Sequence, residues 1–297
     1  MQRTPSPRSE RPSPRSVRAP VASRPWAAVV ILAVGTLFAS PTADAGAWVR
    51  DPGKFYVKAG VGTFTGQEAD VDELESFEYQ SKDASLYGEV GLPWGLGLTA
   101  YLPFVEGTNE LATVRYVNRS AGDSEIALSK RILSDKIALS ATVLARIPLY
   151  GDRADERAEN FGPFAARFPD PGDGSPDLDS RLDIGTGLKL GKWGGWVQGG
   201  GGYRHRFEEP VDGVIWNVQA GVQPRWGGED RGWFGLETGG AKNVVEDELT
   251  REHVRVGAFA AAAIAKGVSL EAAGGWIPVA QASRTGTSLG LGVSWIH

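Results

Sequence analysis

Residues 137–149 constrain the fold more than any other stretch. Ile137, Leu139, Ala141, Val143, Ala145, Ile147 and Leu149 fall on one parity, while Ser140, Thr142 and Arg146 share the other with Leu144. A two-residue period with one apolar face describes a long strand and not a helix. Residues 123–133 alternate in the same way, and only Ser134-Asp135 separates the two runs, so the pair is expected to form a hairpin with a tight polar turn. Beyond Tyr150 the chain enters a long polar connection.

That unit, tight at one end and looped at the other, recurs along the chain. Residues 54–64 alternate Phe55, Val57, Ala59 and Val61 against Lys58, Gly60 and Gly62, and an acidic loop from Glu68 to Glu78 follows. Leu86, Val90 and Leu92 lead through Pro93-Trp94-Gly95 into Leu96, Leu98 and Ala100, and residues 106–122 read as a polar connection. Residues 150–181 form the longest connection. Six further alternating runs begin near Leu182, Trp196, Val214, Phe234, Val254 and Leu270, and residues 287–297 form a last one. The pattern therefore predicts about 12 strands and no helix, an all-β, up-and-down antiparallel transmembrane barrel.

Period two does not by itself decide which parity meets water. A soluble closed barrel of this size would enclose an apolar cavity too wide for side chains to fill. The polar parity is rich in Gly, which suits a crowded interior better than a solvated exterior; the chain has 40 Gly. Trp94, Trp193 and Trp226 fall in the tight turns, and Trp48, Trp196, Trp233 and Trp295 fall near the same rim, where a membrane interface would hold them. The apolar parity is therefore assigned to lipid, and the last strand must pair with the first, because hydrocarbon does not tolerate an open sheet edge.

The first 45 residues are expected to be a signal peptide and residues 46–297 the barrel. Arg3, Arg8, Arg11, Arg15, Arg18 and Arg24 precede an apolar run at residues 26–38, and Ala43-Asp44-Ala45 supplies the cleavage pattern. The whole chain carries a net charge of -5; because residues 1–45 hold six Arg against Glu10 and Asp44, the remainder is close to -9. That balance speaks against nucleic acid as a partner. The chain has no Cys, so no disulfide holds it together.

Gly122-Asp123-Ser124-Glu125-Ile126-Ala127-Leu128, Ala145-Arg146-Ile147-Pro148 and Leu182-Asp183-Ile184-Gly185-Thr186-Gly187 resemble the pattern of bacterial outer-membrane transporter-like proteins grouped as the MetA-pathway of phenol degradation family. The resemblance implies a β-barrel and the passage of small organic molecules. It supplies no agreed set of functional residues. Outer-membrane barrels usually end in an aromatic residue on the apolar parity, whereas here His297 follows Leu289, Leu291, Val293 and Trp295.

The inward parity collects charge. Arg146, Glu125 and Asp183 are expected to form part of a charged constriction, with Glu89, Arg204, Glu237 and Arg255 as further lumen candidates, and residues 150–181 are expected to narrow the outer mouth. Such groups either prop the barrel as ion pairs or meet solute. No catalytic residue, metal or cofactor is expected: His205 and His253 lack a neighbouring His-x-Ser pattern, and residues 199–202 lack the Gly-Lys-Ser/Thr of a phosphate loop and read instead as a bend or bulge. The expected function is a passive channel in the bacterial outer membrane. A lipid-modifying outer-membrane enzyme and a closed structural barrel are the alternatives. Expected partners are outer-membrane lipid and lipopolysaccharide, a small-molecule solute, and the barrel-assembly machinery during biogenesis.

Overall fold

The computed structural model describes residues 46–68, 77–111, 114–150, 169, 172, 174–207, 211–226, 229–244, 252–281 and 284–297. The expected signal peptide, most of the acidic first loop and most of the 150–176 connection lie outside these residues. The strands in chain order are β1 (Phe55–Glu68), β2 (Phe77–Leu92), β3 (Leu96–Leu111), β4 (Val114–Ala121), β5 (Asp123–Ser134), β6 (Ile137–Pro148), β7 (Asp177–Leu190), β8 (Trp193–Arg206), β9 (Gly213–Gln223), the two-residue β10 (Arg225–Trp226) and β11 (Glu229–Asp230), β12 (Gly232–Asn243), β13 (Glu252–Ala265), β14 (Val268–Gln281) and β15 (Arg284–Ile296).

Twelve of them close into one antiparallel barrel. β1 pairs with β2 on one side and with β15 on the other, from Tyr56↔Ile296 to Glu68↔Arg284, so the first and last strands leave no open seam in the barrel. The closing ladder runs to the last residue, with Phe55 N–H donating to His297 O at 3.3 Å and His297 N–H donating to Phe55 O at 3.1 Å. β10 and β11 form a small hairpin between β9 and β12.

β4 is the extra strand, and it corrects the expectation of a polar connection at residues 106–122. β3 pairs with β5 over residues 96–101 and with β4 over residues 104–111, so β4 and β5 follow one path that breaks at Gly122. At the break the Gly122 N–H donates to Pro103 O at 2.9 Å. Pro103, with no N–H to give, sits where the partner strand changes.

The side-chain distribution is inverted relative to a soluble protein. Leu86, Leu182 and Leu236 on the outer face are 52%, 58% and 66% exposed, whereas Glu125, Asp179 and Arg206 inside are 5%, 1% and 7% exposed. Only a hydrocarbon surrounding makes this arrangement favourable, since apolar outer surface would otherwise face water. The protein is a membrane-spanning β-barrel. No helix of the described residues is long and apolar enough to cross a membrane.

The tight rim carries the short turns. Pro93-Trp94-Gly95 places both Trp94 (φ 60°) and Gly95 (φ 69°) in the left-handed region, the backbone that a two-residue hairpin turn requires. The Lys130 ammonium donates to the Trp94 carbonyl and fastens this turn to β5. Toward the opposite rim β3 pairs with β2 as far as Glu110 and with β4 as far as Leu111. There Pro169, from the long β6–β7 connection, is buried where a Cβ on Gly107 would lie 3.0 Å from it, and its carbonyl accepts from Asn118 Nδ2 at 3.1 Å.

Candidate functional site: the charged lumen

Register brings four inward side chains into one row. Glu125 on β5 lies opposite Arg146 on β6, Arg146 opposite Asp177 on β7, and Asp177 opposite Arg206 on β8. The charges alternate in sign across four neighbouring strands. Arg146 gives Nε (3.1 Å) and Nη2 (2.8 Å) to Glu125 Oε1 and Nη1 to Asp177 Oδ2 at 3.4 Å. Asp177 also lies 3.6 Å from Arg204 Nε and 3.9 Å from Arg206 Nε, so one buried carboxylate touches three guanidinium groups. Arg204 in turn holds Asp179 through two bonds of 2.7 and 2.8 Å.

Deeper along the same wall, Arg181 Nη2 donates to Asn217 Oδ1 at 2.9 Å and lies 3.6 Å from Asp183 Oδ1. Gln198 Nε2 donates to Gln219 Oε1 at 2.9 Å below them. The glycine run in β8 serves this packing. A Cβ on Gly200 would stand 1.9 Å from Asp183 Oδ1, and one on Gly202 2.7 Å from Arg181 Cγ. The ladders of β7–β8 and β8–β9 pass through residues 199–202 without a register shift, so the expected bulge is absent there. The glycines leave room for the ion pairs instead.

The facing wall has its own pairs. Arg255 Nη2 lies 3.0 Å from Glu237 Oε1. Lys58 Nζ lies 2.8 Å from Glu271 Oε2, and the Tyr56 hydroxyl donates to Glu271 Oε1 at 2.7 Å. The Tyr87 hydroxyl donates to Glu89 Oε1 at 2.6 Å. Tyr87, Tyr101, Ala127 and Leu144 pack together inside the wall of β2, β3, β5 and β6, with Tyr56 against them.

Residues 46–51 run inside the barrel at its tight-turn end, a placement that no periodic pattern announces. Ser140 Oγ donates to Gly46 O at 3.3 Å, Ala47 is fully buried, and Gly97 leaves room for Val49. The Trp48 ring fits over Gly185, where a Cβ would lie 2.6 Å from it. Arg131 fastens the strap by donating to Val49 O and by an ion pair with Asp51 at 2.9 Å. Arg50 pairs with Glu89 and lies over the Tyr56 ring, 5.0 Å from its centroid.

Between strap and walls lies a cavity of about 900 Å³. Arg146, Arg181, Arg204 and Arg255 reach it, and so do Trp196 and Phe259, whose ring centroids are 6.2 Å apart. Trp48, Trp196 and Trp233 thus border the lumen, which corrects their assignment to the lipid interface. Trp94 and Trp295 do expose their rings, at 83% and 51%. The Trp226 side chain lies outside the described residues.

Of the sequence candidates, Arg146, Glu125 and Arg204 meet in one network. Asp183 lies deeper with Arg181, Glu237 pairs with Arg255 on the far wall, and Glu89 on β2 holds Arg50 of the strap. Asp177, Asp179 and Arg181 were hidden, because residues 150–181 read as connection while β7 begins at Asp177. Their parity with Asp183 was the available signal.

The two histidines separate. His253 borders the lumen, whereas His205 is exposed outside, with Nδ1 3.1 Å from both carboxylate oxygens of Asp212. Asp212, in the β8–β9 connection, also accepts from the Tyr203 hydroxyl at 2.7 Å and the Arg206 N–H at 2.8 Å. The Tyr203 hydrogen bond above all, then the Arg206 N–H and His205, hold its carboxyl down to about 2.

No protein-family model matches the chain, and no curated protein matches it. Solved structures do. An outer membrane channel from Pseudomonas putida F1 superposes with a TM-score of 0.61 at 13% identity, over 86% of this chain and 99% of that one. The β domain of the Bordetella autotransporter BrkA gives 0.48 at 12% identity, over 83% and 100%. The KdgM porin gives 0.45 at 7% identity, over 81% and 98%. At such identities the likeness is one of fold.

Proposed function

We propose that the barrel is a passive channel for small organic solutes. The observation that carries this reading is the lumen itself: charged and polar groups line a cavity of about 900 Å³ inside a closed membrane barrel. A structural plug would fill that space with packed side chains, and a barrel of 12 strands stands between those that fill and those that conduct. The Pseudomonas putida protein that shares the fold is an outer membrane channel, and the resemblance to the phenol-degradation transporter-like family points to small organic solutes.

In mechanism, the alternating row on β5–β8 holds the arginines in fixed positions with their charge balanced at close range. A solute crossing the lumen then meets oriented donors and not a net field. The aromatic faces of Trp48, Trp196 and Phe259 offer apolar contact at the narrower, strap-lined end. The enzyme reading would require a hydroxyl nucleophile on His205, whose described partners are Asp212 and the Phe207 ring.

Liposome swelling with purified protein tests the reading. Swelling in small uncharged organic solutes is expected, and its absence would favour a closed barrel. Mass analysis of the same lipids, expected unchanged, separates a channel from a lipid-modifying enzyme.

A further inference from the structure

We propose that Asp83 is a cation-binding position on the lumen wall, which gives the pore a preference for cationic solutes. The inference rests on the reading of the barrel as a channel. Asp83 escapes the sequence pattern because β2 begins at Phe77 and not near Leu86. It shares the inward parity of Tyr79, Ser81, Ser85, Tyr87 and Glu89, and lies where the outer parity passes from Ala84 to the polar Lys82.

Among the described residues its surroundings offer no compensating charge. Asp83 is opposite Gly62 on β1 and Val105 on β3, and its inward neighbours on β2 are Ser81 and Ser85. The inward positions one step along β1 are Gly60 and Phe64, and those along β3 are Pro103 and Gly107. The nearest inward cation on β1, Lys58, is held by Glu271, and Arg284 at the outer end of β15 lies over the Tyr79 ring. Glu89, Glu125, Asp179, Asp183, Glu237 and Glu271 each have an Arg or Lys within ion-pair distance. Among the described residues Asp83 has neither an ion pair nor a hydrogen bond.

A half-buried carboxylate without a counter-ion is costly in a confined, low-dielectric wall. The other lumen carboxylates are matched within the protein, so their fields cancel at short range. Asp83 finds no such match among the described residues; a cation standing in the lumen beside it supplies one, and Gly62 across the ladder contributes no side chain of its own. The chemistry recognised is a monovalent cationic centre, either a hydrated alkali ion or the ammonium of an organic solute.

The test is the reversal potential of the full chain in planar bilayers under a KCl gradient, repeated with tetramethylammonium chloride. The native protein should favour the cation in KCl. A matching preference in the second salt identifies the ammonium class as a ligand, and its absence confines the site to alkali ions. Asp83→Asn should lower the cation-over-anion permeability ratio by about a factor of two or more, and Asp83→Lys should invert the preference. Glu106→Gln, on the outer face, should leave it unchanged. If Asp83→Lys does not fold, the near-isosteric Asn variant decides alone. Equal reversal potentials in native and Asn proteins that both conduct would overturn this assignment and leave the channel reading intact. Silence of all folded variants would overturn both.

Discussion

Arg204 grips Asp179 through two parallel hydrogen bonds of 2.7 and 2.8 Å, with both side chains almost wholly withdrawn from solvent. The pair joins β7 to β8 in direct cross-strand register, and Asp177 beside it ties both strands to Arg146 on β6. The network is a mutual neutralisation, so the cost of removing one member lies in the charge it strands.

Arg204→Ala should therefore destabilise the barrel by about 3 kcal/mol or more, read as a lower urea midpoint in detergent. Arg204→Met combined with Asp179→Leu should recover most of that loss, because no buried charge is then left without a partner. Equal losses in the single and double variants would contradict the assignment.

Arg146→Ala frees Glu125 of its described ion-pair partner and removes one of three guanidinium groups around Asp177. Single-channel recordings should show a larger conductance and a shift toward cations. Unaltered conductance and selectivity would remove Arg146 from the permeation path.

Gly200→Ala should disrupt the wall, since the new Cβ would meet Asp183 Oδ1 at 1.9 Å, and both neighbouring strands are fixed by their ladders. Gly187→Ala, with nothing within 4 Å of its Cβ, should leave folding unchanged. Gel mobility before and after heating, which separates folded barrels from unfolded chains, checks the contrast.

Asp212 gives the β8–β9 connection a pH dependence. Its folded pKa lies near 2, below the value of about 3.9 for an unfolded Asp, so the stabilisation is fully present above about pH 4 and is lost as pH falls toward 2. Hydrogen exchange at the Arg206 amide should show protection declining across that window, and Asp212→Asn should abolish the decline.

How much of this was legible in the sequence follows from where apolar and polar parities contrast. Residues 137–149 announced their strand because lipid lies on one side and the charged lumen on the other. Beyond the apolar belt the outward parity turns polar as well, as at Gln80 and Lys82, and the contrast vanishes. This is why Asp83, Asp177 and Asp179 were missed, and why β4 read as a loop. Trp196 and Trp233 were misplaced because an aromatic ring suits a lipid interface and a lumen wall equally. The strap at residues 46–51 has no period to read. Its place inside depends on clearances at Gly97 and Gly185, which only the closed barrel creates.

The central claim is that the lumen conducts, with residues 46–51 narrowing its tight-turn end. Single-channel conductance of the native protein, set beside a variant with residues 46–49 deleted, tests it most directly. Discrete ohmic steps from the native barrel and larger steps from the variant are predicted. Two folded, heat-modifiable barrels that both leave the bilayer silent would contradict it.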